Sequence, residues 1–123
     1  MGSATPFKPI ALVVEDDAIQ REDVATLLEE SEMGVIQCAS AEAALGVLEK
    51  MGGCLSLMFT DVNLAGTIDG LELARIAKAR FPNLHVIVTS GVPRTGLPEG
   101  ATFLAKPWRA LDVLREAERS MAG

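Results

Sequence analysis

Apolar residues in this chain fall in short unbroken runs, and the stretches between the runs repeat with helical spacing. The first run, Ala11-Leu12-Val13-Val14, has no polar interruption, as a strand buried on both faces requires. Behind it, Val24, Leu27 and Leu28 share one face of a helix that reaches to about Glu30. Gly34 precedes a second short strand, Val35 to Cys38. Ser40 is placed to cap the next helix, with Glu42 in its first turn where negative charge suits the helix N-terminus. Ala41, Ala44, Leu45 and Leu48 form that helix's inner stripe, and Gly52-Gly53 ends it. Leu55 to Phe59 is the third strand. A third helix is expected from about Gly70 to Arg80, stopped ahead of Pro82 because a residue before proline avoids helical backbone. His85 to Val88 and Thr102 to Ala105 are the remaining strands. The last helix is expected to start near Trp108 and to turn Ala110, Val113, Leu114, Ala117 and Met121 inward.

Five strands alternating with helices predict a doubly wound parallel sheet of the α/β class, in the order 2-1-3-4-5. One helix is missing from the alternation. The 12 residues between Ser90 and Phe103 include Gly91, Pro93, Gly96, Pro98 and Gly100. An interior Gly costs a helix about 1 kcal/mol and an interior Pro about 3 kcal/mol, so a loop with at most one turn is expected there. The fourth helix of the fold is then shortened or absent. Residues 1–8, with Pro6 among small residues and Pro9 directly after them, read as a flexible lead-in to one domain over residues 9–122.

Composition narrows the function classes. With 123 residues and 49% hydrophobic content the chain can bury a core. A net charge of −6 argues against a nucleic-acid surface. No apolar run is long enough to span a membrane and no signal peptide is visible, so a cytoplasmic location is expected, without a membrane partner. Cys38 and Cys54 form no CxxC pair and read as reduced small residues.

Four strand ends carry the chemistry. The first runs into Glu15, Asp16 and Asp17, the third into Asp61, the fourth into Ser90 and Gly91, and the fifth into Lys106 and Pro107. In open α/β sheets ligands bind beyond the carboxyl ends of the strands, where the order reverses, and here strands 1 and 3 flank that point. Asp16, Asp17 and Asp61 would repel one another there, and an oxygen-only donor set on a partly open site favours Mg²⁺. A carboxylate is also a nucleophile able to form an aspartyl phosphate. Lys106 then supplies a point charge for the phosphoryl oxygens and Ser90 a hydroxyl donor. Each residue alone has an ordinary explanation, as turn, cap or solvated loop; the four together in this order do not. His85 reads as a structural imidazole, Trp108 as a packing anchor for the last helix, and Glu15 as a flanking turn residue. Asn63 lies next to the site.

These motifs resemble the receiver domain of bacterial two-component response regulators across residues 8 to 122. The resemblance rests on Val-Val-Glu-Asp-Asp (13–17), Phe-Thr-Asp-Val-Asn-Leu (59–64), Asp-Gly-Leu-Glu-Leu (69–73), Val-Thr-Ser-Gly (88–91) and Phe-Leu-Ala-Lys-Pro-Trp (103–108). It implies a flavodoxin-like fold with Asp61 as phosphoacceptor. Asp16 and Asp17 would hold Mg²⁺ directly or through water, and Asn63 would offer its backbone carbonyl. It further implies Ser90 and Phe103 as a coupled switch, Lys106 as the site lysine, and a cis Lys106-Pro107 bond. The implied partners are a histidine kinase or histidine phosphotransfer domain and a downstream protein target, with phosphorylation self-catalysed rather than enzymatic in the usual sense. Two departures stand out: Ala65 occupies a usual proline position with one extra residue before Gly70, and the eroded fourth helix puts the family's usual output face in doubt.

With the chain ending at its last helix, a stand-alone regulator is expected. A small Mg²⁺-dependent haloacid-dehalogenase-like phosphatase is the alternative, but that family needs an acid two residues after the nucleophile, where this chain has Asn63. A flavin module of the same fold is disfavoured by the acidic mouth.

Overall fold

A computed structural model of the chain describes residues 8–122. Its elements follow the chain as β1 (Ile10–Val14), α1 (Ala18–Glu30), β2 (Gly34–Cys38), α2 (Ala41–Met51) with a 3-10 turn at Gly52–Cys54, β3 (Leu55–Asp61), α3 (Gly70–Arg80), β4 (His85–Ser90), β5 (Thr102–Ala105) and α4 (Ala110–Met121). The sheet is parallel throughout, in the order β2-β1-β3-β4-β5. This is the flavodoxin-like arrangement, and the four strand ends that carry candidate chemistry meet on one edge. The lead-in over residues 1–8 lies, apart from Lys8, outside the described residues.

The alternation of side chains along each strand builds two cores. Leu12 and Val14 of β1 join Met58, Val86 and Val88 against Ala44 and Leu48 of α2 and Leu73, Ala74 and Ala77 of α3. Ala11 and Val13 join Leu57, Phe59 and Ile87 against Val24 and Leu28 of α1 and Val113 and Ala117 of α4. Trp108 packs on the second core, its ring edge-on to Phe59 at 5.8 Å and 81°. That agrees with its reading as an anchor, since such aromatic pairs add stability beyond burial.

Capping fixes where the helices begin. Asp17 accepts hydrogen bonds from the N–H groups of Ile19 and Gln20, Ser40 from Ala43, and Asp69 from Glu72. α4 starts at Ala110, two residues later than expected, because the Asp112 carboxylate accepts from the Arg109 N–H at 3.0 Å. Its inner face differs from the expected stripe: Ala110 and Met121 are exposed, whereas Glu116 is buried. Glu116 meets His85 at 2.8 Å and Arg119 on its own helix, so the imidazole has the structural role read for it. In α2, Leu45 is only partly buried at the rim of the stripe.

No helix forms between β4 and β5. Residues 91–101 run as bends and irregular chain with one turn at Glu99–Gly100, and Gly96 (φ 80°) and Gly100 (φ 87°) take left-handed backbone that side chains resist. Among the described residues no helix is long and apolar enough to cross a membrane.

Candidate functional site

Asp61 ends β3 with 5% of its surface exposed. Both carboxylate oxygens are engaged. Oδ1 accepts from the N–H of Asn63 at 3.1 Å, and Oδ2 from Lys106 Nζ at 2.7 Å. Lys106 reaches it from the end of β5, past a cis Lys106-Pro107 bond, and also donates to Gln20 Oε1 at 3.0 Å. Its backbone N–H bonds the carbonyl of Ser90, which fixes the lysine loop to the end of β4. Ser90 is fully buried, and its hydroxyl oxygen accepts from Val92 N–H at 3.3 Å. Phe103 pairs with Val88 across the β4–β5 ladder and packs, partly buried, on the core beneath α2 and α3. Thus β1, β3, β4 and β5 bring an acid, a lysine and a hydroxyl to one edge, as the motif order requires.

The three acids after β1 separate into different roles. Glu15, read as a turn residue, is instead 4% exposed and lies 3.9 Å from Lys106 Nζ. Asp17 caps α1 through Oδ1 and donates its own N–H to Glu15 Oε2 at 3.0 Å. Asp16 is exposed. Burial raises the Glu15 carboxyl from an ordinary 4.5 to about 7, opposed by the Asp17 N–H and reinforced by the Asp61 and Asp16 carboxylates beside it. The Lys106 ammonium, committed to Asp61 at the shorter distance, does not cancel that rise.

This has a stability consequence. Folded Glu15 holds its proton more tightly than the unfolded chain does, so its contribution falls as pH rises from about 4.5 to about 7. The full penalty, on the order of 2–3 kcal/mol, applies above that window. Glu15→Gln should therefore gain stability over the wild type at pH 8 and gain little at pH 4.5, as read by urea unfolding at the two pH values. An equal difference at both would contradict the assignment.

The segment after Asp61 is held from two sides. Gly70 donates its N–H to the carbonyl of Val62 at 2.8 Å. Glu42 of α2 accepts from the N–H and hydroxyl of Thr67 at 3.0 and 2.7 Å, bonds that keep its carboxyl below the ordinary range. Gly66 (φ 114°) turns the chain directly against that carboxylate, where a Cβ would lie 2.6 Å from Oε1.

The donors at the strand ends suit a hydrated Mg²⁺. They are all oxygen, and burial, reinforced by the neighbouring Asp61 and Asp16 carboxylates, keeps Glu15 hard to ionise. Among the described residues no group of three or more His, Cys, Asp or Glu side chains is placed to hold a metal ion by itself. Mg²⁺ commonly binds through one or two carboxylates and keeps several waters.

Sequence comparison identifies the family. The family model for the response regulator receiver domain matches residues 11–117, and the chain belongs to that family. It is 34% identical over 118 residues to the response regulator protein FleR of Pseudomonas aeruginosa, covering 91% of this chain and 24% of that one. It is 36% identical over 120 residues to the transcriptional regulatory protein FixJ of Azorhizobium caulinodans, covering 92% and 54%. The chain thus spans only part of the length of these relatives. The response regulator receiver protein CpdR of Brucella abortus is 28% identical over 116 residues, covering 89% of this chain and 94% of that one. A CheY-like receiver domain structure from Methanospirillum hungatei shares the fold, with a TM-score of 0.83 at 23% identity and 94% of each chain covered. Receiver domains are phosphoacceptor signalling modules rather than enzymes in the ordinary sense.

Proposed function

We propose that this chain accepts a phosphoryl group on the Asp61 carboxylate from a phosphohistidine donor and passes its phosphorylation state to a protein partner. The observation that carries the reading is the Lys106 Nζ contact to Asp61 Oδ2 at 2.7 Å, made between the ends of two strands at a nearly buried carboxylate. An Asp61 oxygen attacks phosphorus while the phosphorus–nitrogen bond of the donor breaks. The bonding pair leaves with the imidazole nitrogen, which takes up a proton. Hydrolysis reverses the gain: water attacks phosphorus, the phosphorus–oxygen bond breaks, and carboxylate and inorganic phosphate are restored.

Lys106 meets the negative charge that moves onto the phosphoryl oxygens, and such placed charges carry most of the catalytic demand in phosphoryl transfer. Ser90 offers its hydroxyl from the next strand, and Phe103 on β5 is placed to respond to its movement. Asp61, Asp16 and the backbone carbonyl of Asn63 would hold Mg²⁺, with Glu15 behind them. Asp17, cast as a ligand beside Asp16, has one carboxylate oxygen already occupied by the α1 cap. When bound, the cation supplies charge neutralisation among the carboxylates and the phosphoryl oxygens. Family membership supports a histidine donor and a downstream protein target, and we place both in the cytoplasm.

Incubation with acetyl phosphate should add one phosphoryl mass per chain in the presence of Mg²⁺ and essentially none after chelation with EDTA. Equal uptake with and without the cation would contradict the role given to the acids. A chain that takes no label, from acetyl phosphate or from any histidine kinase or phosphotransfer domain of its source, would overturn the proposal.

A further inference from the structure

Arg94 lies in the helix-free segment between β4 and β5, and its guanidinium reaches back over the strand ends. Nε donates toward Ser90 Oγ at 3.5 Å and Nη2 toward Asn63 Oδ1 at 3.4 Å. Ser90 ends β4, the strand next to that of Asp61, and Asn63 lies two residues after Asp61. Both contacts sit at the long limit of hydrogen bonding, so the five-donor fork is positioned but poorly used. Among the described residues no carboxylate lies within ion-pair distance of it. Two residues further on, the chain is anchored independently: Arg75 of α3 donates to the carbonyl of Gly96 from Nη2 at 3.1 Å and Nε at 3.3 Å. Arg94 therefore sits on a short span between a fixed strand end and a fixed turn.

We propose that the Arg94 guanidinium is the second protein cation of this site, docking on the phosphoryl group carried by Asp61 and tying residues 91–100 to the phosphorylation state. The inference rests on Asp61 being the phosphoacceptor. A phosphoryl group places anionic oxygens between Ser90 and Asn63, the two neutral groups Arg94 already approaches. A guanidinium exchanges a hydroxyl and an amide oxygen for a phosphate readily, because its planar fork matches phosphate oxygens and charge-assisted bonds are about twice as strong as neutral ones. Lys106 approaches Asp61 from the β5 side and Arg94 from the β4 loop, so the two cations do not compete for one position. With Gly96 held by α3, inward movement of Arg94 draws the span between Ser90 and Gly96 taut. A segment too rich in Gly and Pro to form a helix would thereby become ordered by ligation.

The test uses beryllofluoride, a tetrahedral phosphoryl mimic, with Mg²⁺ on the wild type, Arg94→Ala and Arg94→Lys. Arg94 is an exposed loop residue, so both variants should melt close to the wild type. Arg94→Ala should bind the mimic about tenfold more weakly, and Arg94→Lys should recover part of that loss, since a lysine keeps the charge but not the fork. Hydrogen exchange over residues 92–97 should slow when the wild type binds the mimic and should not slow in Arg94→Ala, a difference that a merely structural role for Arg94 would not produce. Binding within twofold of the wild type in both variants, with the same slowing of exchange, would overturn the inference while leaving Asp61 as phosphoacceptor. A wild type that takes neither the mimic nor a phosphoryl group at Asp61 would overturn both.

Discussion

Asp61→Asn should abolish phosphoryl uptake while leaving the fold intact. The amide has nearly the shape of the carboxylate, so the side chain can keep its place between the Asn63 N–H and the Lys106 ammonium. What it loses is the anionic oxygen that attacks phosphorus, and no rearrangement of neighbours replaces it. Glu15, the nearest other buried acid, is held largely protonated below about pH 7 and is a poor substitute nucleophile there. Stability should change little or rise slightly, because one of the acids crowding Glu15 has become neutral. Intact mass after acetyl phosphate and Mg²⁺ reads the first expectation and a thermal melt the second. A variant that keeps its full label would show that the nucleophile lies elsewhere.

Gly70→Ala should be among the most destabilising single-methyl additions in the chain. A Cβ built at Gly70 falls 1.8 Å from the backbone oxygen of Asp61, 2.7 Å from its carbonyl carbon and 2.8 Å from Thr60 Oγ1. Two of those three atoms are backbone of Asp61 itself, so no rotamer change relieves the clash. The chain must retreat, and the Gly70 N–H bond to Val62 holds it in the opposite sense. Overpacking of this kind costs about 3 kcal/mol, which for a domain of this size lowers the melting temperature on the order of 10 °C. The surviving folded fraction should also phosphorylate slowly, because the retreat displaces β3 at Asp61. A melting temperature within two degrees of the wild type, at roughly the resolution of such a scan, would mean that α3 can shift without cost.

The layout of the fold was legible because each strand is an unbroken apolar run and each helix carries its own cap. Ser40 marked a boundary that a hydrogen bond from Ala43 then fixed, and Gly52-Gly53 marked the end of α2. The missing helix was legible for the opposite reason, since five Gly and Pro residues in 12 leave too little backbone hydrogen bonding. The inner face of α4 was harder to read. Ala110 and Met121 fit the apolar stripe but lie at the helix ends, whereas buried Glu116 broke the pattern and is there because Arg119 pairs with it and the His85 ring hydrogen-bonds it.

At the site, composition identified the acids but not their assignment. Asp16-Asp17 was the conspicuous pair, yet strand alternation held the decisive signal. Ala11 and Val13 share a face with Leu57 and Phe59, and Val14 pairs with Thr60. One step further along that register, Glu15 comes to Asp61. Continuing that register one residue past Val14 would have placed Glu15 beside Asp61, whereas Asp17 falls at the N-cap of α1. Arg94 had no such signal. It lies in irregular chain, and only the path of the backbone brings it over Ser90 and Asn63.

The central claim is that Asp61 becomes an acyl phosphate, and borohydride trapping reads it directly. An aspartyl phosphate is a mixed anhydride, so borohydride reduces its carbonyl to an alcohol and leaves homoserine in place of the aspartate, whereas a free carboxylate is untouched. Phosphorylated protein treated in this way and digested should yield homoserine at position 61 and at no other acid. Homoserine at position 16 or 17, or a phosphorylated chain with no homoserine at all, would contradict the account.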